Sequence, residues 1–244
     1  MSDNVFGDEQ VAAAYDAASP SMFDDDVVLP AVEFLSELAG DGRALEFAIG
    51  TGRIGLPLCA RGVDVVGIEL SQPMVDQMMK KPGADQIPVT IGDMATTTVD
   101  GSFSLAYLVY NTVTNLLTQD EQVECFCNAA RHLDVGGHFV IEVGVPDLRR
   151  LQPGETYIPF DVSEGHLGFD EFDVVNQRSV SHHYWIDGGR ATTLASSHRY
   201  AWPAEYDLMA RIAGMELAQR WADWHRAPFT SDSTSHVSVW QKAP

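Results

Sequence analysis

Two kinds of hydrophobic pattern follow one another along the chain. Up to Pro146, short apolar runs alternate with segments of helical periodicity, such as the one from about Val28 to Leu38. Runs of this length are typical of buried strands, and five are found: RALEFAIG, VDVVGIEL, IPVTIGDM, FSLAYLVYN and GGHFVIEVGV. Strands that alternate with helices at this spacing predict right-handed βαβ units in a parallel sheet.

Beyond Pro146 the pattern changes to closely spaced strands. The runs YIPFDV, HLGFDEFDVV, SVSHHYWI and ATTLASSHRYAW predict an antiparallel insert, and the Asp187–Gly188–Gly189 sequence predicts a hairpin turn. A helical segment, PAEYDLMARIAG, and two strand-like runs, MELAQRWADW and SHVSVWQK, follow. The sequence therefore predicts an α/β protein with five parallel βα units, an antiparallel insert, a helix and a terminal pair of strands.

Charge and composition restrict the partners. The 244 residues include 35 acidic and 15 basic side chains, a net charge of −20. Nucleic acid and anionic membranes are poor partners for such a surface, because both are bound by basic footprints. No apolar run is long enough to span a bilayer, and the acidic N-terminus does not resemble a signal peptide. Three cysteines without CxxC pairs indicate neither a disulfide framework nor a zinc site, so we expect a cytoplasmic protein.

The segment GTGRIG, residues 50–55, fits the glycine pattern G-x-G-x-x-G of dinucleotide sites. The preceding strand, however, contains Glu46. A carboxylate buried beside a pyrophosphate would bring like charges together at a high energetic cost. S-adenosylmethionine has no phosphate and carries a sulfonium and an ammonium against one carboxylate. Glu46 therefore favours this ligand over a dinucleotide.

Two more acidic residues follow neighbouring strands. Glu69 ends the second strand, where it can accept hydrogen bonds from both ribose hydroxyls, although nicotinamide enzymes use the same device. Asp93 ends the third strand and can accept from an adenine amino group while Met94 covers the ring; alternatively, Asp93 is a turn former. Because ligands of open sheets bind at the carboxyl ends of strands, these acids predict a binding site there.

These motifs together resemble the class I S-adenosylmethionine-dependent methyltransferases. LEFAIGTGR is similar to their first motif, with Ala48 in place of the first glycine, Glu69 resembles their ribose-binding acid, and GDM their adenine motif. The terminal strands resemble the family's last pair, and the insert is similar to that of amino-sugar N-methyltransferases. The resemblance implies a Rossmann-like seven-stranded, mostly parallel sheet with the last strand antiparallel. It also implies S-adenosylmethionine as cofactor, bound by Tyr15, Glu46, Ala48, Gly50, Gly52, Arg53, Glu69, Leu70, Asp93, Met94 and Tyr110.

Residues for the acceptor side are less strongly indicated. Tyr110, Asn111 and Asn115 follow the fourth strand, where acceptor and donor should meet, although Asn111 could equally cap a helix. His182 and His183 are adjacent on a predicted strand, so they face opposite sides and cannot hold one metal together. Both are candidate general bases as well as ordinary sheet positions. No metal site is predicted.

The sequence thus predicts three parts: a cofactor-binding core with an N-terminal helical lid (residues 1–146), an antiparallel insert over the cleft or at a dimer face (147–202), and a final helix with the terminal strands (203–244). The lid would bring Tyr15 over the cofactor. Alternatively, Tyr15 is a surface aromatic on an N-terminal helix. The predicted function is methyl transfer to an amine or hydroxyl of a small metabolite, with a homodimer as one possible assembly. The alternatives are a nicotinamide-dependent reductase and a cofactor-binding protein without catalysis.

Overall fold

The computed structural model describes residues 7–244 and contains two sheets. The larger sheet has seven strands in the order β10-β11-β5-β4-β1-β2-β3, and the smaller has four in the order β6-β7-β8-β9. The strands are β1 (Arg43–Phe47), β2 (Asp64–Glu69), β3 (Val89–Ile91), β4 (Phe103–Leu108), β5 (Leu133–Gly144), β6 (Tyr157–Val162), β7 (His166–Asp173), β8 (Arg178–Asp187), β9 (Arg190–Arg199), β10 (Met215–Trp221) and β11 (Ser235–Lys242).

Six α-helices connect or flank these strands in the described part of the chain. They are α1 (Glu9–Ala18), α2 (Asp25–Ala39), α3 (Gly55–Ala60), α4 (Gln72–Met78), α5 (Gln119–His132) and α6 (Pro203–Ile212). The Ser71 hydroxyl accepts from the Met74 backbone N–H at 3.3 Å, so the sequence signal for the start of α4 is confirmed. Among residues 7–244, no helix combines the length and apolar character that a membrane crossing requires.

The seven-stranded sheet confirms the predicted fold class. Strands β1 to β5 pair in parallel, whereas β11 runs antiparallel between β5 and β10. From β1 the chain moves outward to β2 and β3 on one side, and then returns to β4 and β5 on the other. This reversal of strand order lies beside β1, where open α/β sheets bind their ligands.

Two strands differ in length from their sequence patterns. β3 covers only Val89–Ile91, because Pro88 has no N–H for the ladder and Gly92 already turns toward the following loop. β5 begins at Leu133, directly after α5, and its ladder with β4 is irregular between Phe103 and Leu105. Both differences lie at strand ends, where hydrophobic pattern is least informative.

The small sheet is a meander of consecutive antiparallel strands, as predicted for the insert. Asp187 pairs with Arg190 across the β8–β9 hairpin, which leaves a two-residue turn at Gly188 and Gly189. Both glycines have positive φ angles, 54° and 79°, which a turn of this kind needs and other residues rarely adopt. The predicted hairpin is therefore confirmed.

Candidate active site

The loop between β1 and α3 is built from left-handed backbone. Gly50 and Gly52 have φ angles of 58° and 80°, and Ala48 has 52°. Glycine adopts these angles without a steric penalty, but alanine does not. A side chain at Gly52 would also meet Leu56 at 2.8 Å. The two glycines thus allow the sharp turn, and Ala48 makes the same turn under strain.

Glu69 ties this loop to the next element. Its Oε2 accepts from the Gly50 backbone N–H at 2.9 Å, and its Oε1 accepts from the Ser71 N–H at 2.8 Å. The side chain is 7% exposed, so burial raises the pKa of this carboxyl while the N–H donors oppose the rise. Beside it, Leu70 is 54% exposed and forms an apolar surface next to the carboxylate. Glu69 therefore lies at the carboxyl end of β2, as predicted, and also fixes the loop.

Glu46 lies beneath the loop and not at its surface. Its carboxyl is 3% exposed and accepts a hydrogen bond from the Tyr107 hydroxyl at 2.9 Å. A Cβ on Gly55 would meet Glu46 Oε2 at 2.6 Å, so the carboxyl is covered by the start of α3. Burial raises its pKa from 4.5 to about 8. At neutral pH Glu46 is therefore largely uncharged, and the sequence argument from like charges does not describe its position.

The end of β3 is joined to the end of β2. The Gly92 N–H donates to the Glu69 backbone oxygen at 2.9 Å, which brings Asp93 and Met94 to the same edge. Asp93 is exposed, and its Oδ1 accepts from the Ala95 N–H at 2.7 Å, which is the contact expected of a turn former. Met94 is 9% exposed and packs into the core. Both readings of Asp93 are compatible with this geometry.

The N-terminal helix α1 packs against the glycine loop. The Thr51 hydroxyl donates to Asp16 at 2.7 Å, and Lys81 forms an ion pair with the same carboxylate at 2.5 Å. Burial raises the pKa of Tyr15, and the hydroxyl of Tyr110 and the guanidinium of Arg53 also act on it, so these three side chains lie close together. Tyr15 of α1 thus lies close to Tyr110 and Arg53, and its role in a lid stays a prediction.

The chain turns sharply where β4 ends. Tyr110 and Asn111 both have positive φ angles, 56° and 59°. Glu142 of β5 holds this turn, because its Oε2 accepts from the Tyr110 N–H and its backbone oxygen from the Asn111 N–H, both at 3.0 Å. Asn111 occupies the N-cap position of a short 3-10 helix, Thr112–Asn115, but its side chain accepts instead from the Gly144 N–H at 2.6 Å. No sequence pattern indicates Glu142, because its role depends on the neighbouring strand β4.

One contact shows which face of the insert meets the core. Thr114 Oγ1 and His198 Nδ1 are 3.2 Å apart, so β9 lies against the loop that follows β4. Along β9, Ala195 and Ser197 on one face are exposed, whereas Leu194, Ser196 and His198 share the other face and are half-buried. We call this the inner face; its residues include Ile158, His166, Gly168, Asp170, Phe172, Ser179, Ser181, His183, Leu194, Ser196 and His198.

The two predicted histidines are separated by this geometry. His183 lies on the inner face, where its Nδ1 is 3.0 Å from His166 Nε2; His166 Nδ1 is in turn 2.6 Å from Asp161. His182 lies on the outer face and contacts Glu171 at 3.1 Å. Burial lowers the pKa of both His183 and His198. Sequence reasoning missed His198, although its alternation with Leu194 and Ser196 places it on their face.

The residues at this edge fit a cationic, phosphate-free nucleoside ligand. Glu69 and Asp93 offer carboxylate oxygens at adjacent strand ends, and Leu70 offers exposed apolar surface. Arg53 is half-buried between the loop and the Tyr110 ring, 5.3 Å from its centroid, where it can meet a ligand carboxylate. Within residues 7–244 no group of three or more His, Cys, Asp or Glu side chains could hold a metal ion.

Comparison with known proteins agrees with this chemistry. A family profile described as "Methyltransferase domain" matches residues 44–137. The CcbJ methyltransferase from Streptomyces caelestis is 32% identical, with all of both chains covered and a TM-score of 0.86. The cypemycin N-terminal methyltransferase of a Streptomyces species is 28% identical over 99% of this chain and 100% of its own. A structure of CalS10 from Micromonospora echinaspora with bound S-adenosylmethionine, 21% identical, covers 92% and 95% with a TM-score of 0.70.

Full-length similarity at this level decides between the hydride and methyl-transfer hypotheses. The fold, the Glu69 and glycine-loop geometry and the matched relatives all agree. The chain belongs to the class I S-adenosylmethionine-dependent methyltransferases.

Proposed function

We propose that this methyltransferase acts on an amine or hydroxyl of a small metabolite. The observation that carries the proposal is the contact between Thr114 and His198, which sets the inner face of the insert against the loop after β4. Tyr110 and Asn111 begin that loop, at the same sheet edge as the proposed cofactor-binding residues. An acceptor held between this loop and the inner face would be enclosed on both sides, as a small molecule requires.

We assign the cofactor-binding roles to the loop and the strand ends. Glu69 accepts from the ribose, Asp93 from the adenine, and Leu70 and Met94 contact the base. Arg53 binds the amino-acid carboxylate, with Tyr15 and Tyr110 closing over it. Gly50 and Gly52 let the backbone approach the ligand, while Glu46 and Ala48 support the loop from below and at its start.

The chemistry divides between cofactor and protein. S-adenosylmethionine supplies a methyl group already activated on a sulfonium. The acceptor's lone pair forms the new bond as the carbon–sulfur bond breaks, so the chain's main task is to hold acceptor, methyl carbon and sulfur in line and exclude water. Tyr110 and Asn111 position the acceptor. An amine must arrive deprotonated, and the lowered pKa of His183 and His198 leaves both able to accept a proton near neutral pH.

Relatives and charge favour an amine. Similar folds include CalS10, an amino pentose methyltransferase, and KedS8, a sugar N-methyltransferase, and the cypemycin enzyme is named for an N-terminus. A net charge of −20 attracts cationic acceptors at encounter. An alcohol is the second candidate, for which a general base would contribute roughly 10²–10⁴-fold.

The test is release of S-adenosylhomocysteine from S-adenosylmethionine with a panel of small amines and matched alcohols. We expect turnover with at least one amine, and His182→Ala and His183→Ala should each retain measurable turnover if orientation dominates. Complete loss in one variant with binding intact would show an obligatory base. No product with any small molecule, but product with a peptide or macromolecule, would contradict the proposed acceptor class.

We also propose that the chain is organised in three parts. Residues 1–146 form the cofactor-binding core, residues 147–202 form the insert that contacts the acceptor, and residues 203–244 complete the core. We infer a cytoplasmic location from the acidic, cysteine-poor sequence. A homodimer through the insert would be revealed by the molar mass measured in light scattering.

A further inference from the structure

The register of the small sheet places a row of small side chains at the centre of its inner face. Asp170 lies opposite Ser181, and Ser181 lies opposite Ser196. In the adjacent row, Gly168 lies opposite His183. Directly opposite residues of antiparallel strands have their Cβ atoms within about 5.5 Å of each other, so these positions are contiguous. Serine side chains are smaller than the histidine, leucine and phenylalanine side chains of the rows on either side, so the row of Ser181 and Ser196 forms a shallow depression.

Rings stand on one side of this depression. Phe160 lies over Gly168, where an added Cβ would meet its ring at 2.1 Å, and its centroid is 5.1 Å from that of His183. Trp185 stacks on His183 at 5.2 Å with the ring planes 7° apart. Phe160 and Trp185 remain 45% and 41% exposed, so part of each ring is accessible. Accessible aromatic faces attract organic cations as well as apolar rings.

On the opposite side stands His198, held by two hydroxyl groups. Its Nδ1 is 3.2 Å from Thr114 Oγ1 and its Nε2 is 2.9 Å from Ser196 Oγ. Thr114 belongs to the 3-10 helix that follows the Tyr110–Asn111 turn. This side of the depression is therefore the one nearest the end of β4, where methyl transfer is proposed.

One carboxylate lies between these two sides. Asp170 is half-buried, and its Oδ1 accepts from the Ser181 hydroxyl at 2.6 Å. Its charge opposes the lowering of the pKa of both His183 and His198, which places it near each of them. The charged or titratable groups near the centre of the inner face are Asp161, His166, Asp170, His183 and His198, whereas Asp187 and Arg190 lie at its hairpin end. Asp161 is hydrogen-bonded to His166, whereas Asp170 lies in the row of Ser181 and Ser196, so Asp170 is the carboxylate beside the small side chains.

We propose that the inner-face depression binds an ammonium group of the methyl acceptor other than the atom that receives the methyl group, with Asp170 as the residue that recognises its positive charge. This inference deepens the proposed function and rests on it, since it assigns the acceptor to small molecules of about one ring that carry such a protonated amine beside the group that is methylated. Phe160, His183 and Trp185 contact the ring carbons. Ser181 keeps the carboxylate turned toward the small side chains. Asp170 thus determines specificity without taking part in bond formation.

The site can be probed by binding alone, with the full chain saturated with S-adenosylhomocysteine. Cyclohexylammonium serves as the cationic probe and cyclohexanol as its neutral counterpart of the same ring size. Binding is followed by NMR shifts of the His183 and His198 imidazoles, assigned with His183→Gln and His198→Gln. We expect both signals to shift with cyclohexylammonium, and cyclohexanol to bind at least about tenfold more weakly, the range of a hydrogen bond to a charged group.

A matched pair of variants isolates the carboxylate. Asp170→Asn keeps an oxygen for the Ser181 hydroxyl but removes the charge, and should lower affinity for cyclohexylammonium about tenfold. Glu171→Gln removes the same charge one residue away on the outer face, where Glu171 contacts Tyr157 and His182, and should leave affinity within about twofold. Equal losses in both variants would mean that net charge, and not this site, attracts the amine.

The outcomes also separate this inference from the proposed function. Equal affinity for cyclohexanol and cyclohexylammonium, or shifts at neither histidine, would overturn the site even if small amines are methylated. Conversely, charge-selective binding that Asp170→Asn abolishes would support the site even if the turnover assay finds no small-molecule acceptor. A variant that fails to bind S-adenosylhomocysteine is replaced by Asp170→Ser, which also removes the charge and must give the same loss.

Discussion

The cofactor edge and the inner face of the insert are held by different kinds of contact. At the cofactor edge, buried carboxyls bind backbone or core groups: Glu69 accepts from two backbone N–H groups, and Glu46 from the hydroxyl of the fully buried Tyr107. On the inner face, half-buried side chains bind each other, as in the Asp170–Ser181 pair and the Thr114–His198 pair. The buried carboxyls of one region thus bind backbone or core groups, whereas the half-buried side chains of the other bind each other.

This difference corresponds to what each region binds. Every member of the family binds the same cofactor, so a site fixed through backbone groups and buried carboxyls has no reason to vary. Acceptors differ, and side chains on a sheet can be exchanged without altering the ladder that carries them. Substitutions at the cofactor edge should therefore affect stability and affinity together, whereas inner-face substitutions should affect acceptor choice alone.

The largest expected effect lies where the insert is joined to helix α6 of the core. At the end of β9 the Arg199 guanidinium pairs with Glu205 of α6 at 2.6 Å, with side chains 5% and 15% exposed. Removing one partner of a buried ion pair costs about 3–5 kcal/mol, so Glu205→Ala should lower Tm by roughly 6–20 °C in a chain of this size. Affinity for S-adenosylhomocysteine, measured in the folded protein, should remain within about twofold.

The matched control is Glu216→Ala, which removes an exposed carboxylate from β10 and should change stability by less than about 0.5 kcal/mol. A fall in cofactor affinity as large as the fall in stability would break the comparison, because the insert's anchor would then also determine the cofactor site. Calorimetric titration and thermal unfolding of the same preparations measure both quantities.

The next largest effect is expected for Glu69→Ala, at the cofactor edge. Glu69→Ala leaves the Gly50 and Ser71 N–H groups without their carboxylate acceptor. The substitution also removes the carboxylate that we propose accepts hydrogen bonds from the ribose. Hydrogen bonds to charged groups contribute about 1.5–3 kcal/mol, so the dissociation constant of S-adenosylhomocysteine should rise roughly 10- to 150-fold. The control is Asp64→Ala at the opposite end of β2, where the carboxylate is exposed and pairs with Arg43. Unfolding of Glu69→Ala without loss of affinity in the folded fraction would show a purely structural role.

Local features of the fold could be predicted because their causes are local. The Ser71 cap, the two-glycine hairpin turn and the glycine loop each depend on residues adjacent in sequence. The strand order required the family resemblance, since pattern alone gives elements and not their neighbours. Predictions therefore succeeded wherever a single segment determines its own backbone.

The acceptor side could not be predicted for a physical reason. Alternation on β8 shows that His182 and His183 face opposite sides, but only the contact between Thr114 and His198 shows which side faces inward. That contact joins residues 84 positions apart. The partner of Glu46 could not be predicted for a related reason: the Tyr107 hydroxyl from which it accepts a hydrogen bond lies in a neighbouring strand. Tertiary partners, and not local pattern, decide these roles.

A smaller effect is expected in the pH dependence of stability, which tests whether Glu46 is buried and uncharged beneath the glycine loop. Its pKa is about 8 in the folded protein against an ordinary 4.5, so over this range the native state holds a proton that the unfolded chain has released. Stability should therefore fall as pH rises through this window and level off above it. Between about pH 6 and pH 8 the loss should be on the order of 2 kcal/mol.

Glu46→Gln cannot titrate, so the difference in unfolding free energy between wild type and variant should follow this curve while other groups cancel. Urea unfolding at several pH values measures it. A difference that does not change with pH would mean that Glu46 is ionised throughout, and the cofactor edge would then contain a buried charge.

The smallest effect concerns Ala48, which replaces a glycine of the family's loop and has a φ angle of 52°. A left-handed alanine costs about 1–2 kcal/mol, whereas glycine adds about 0.5–1 kcal/mol of unfolded-state entropy. Ala48→Gly should therefore stabilise the protein by roughly 0.5–1 kcal/mol in urea unfolding. Ala195→Gly, at an exposed strand position on β9, should destabilise it by a similar amount. If both substitutions destabilise, the Ala48 methyl contributes more by packing against the core than it costs in backbone strain, and the loop is less strained than its dihedral angle implies.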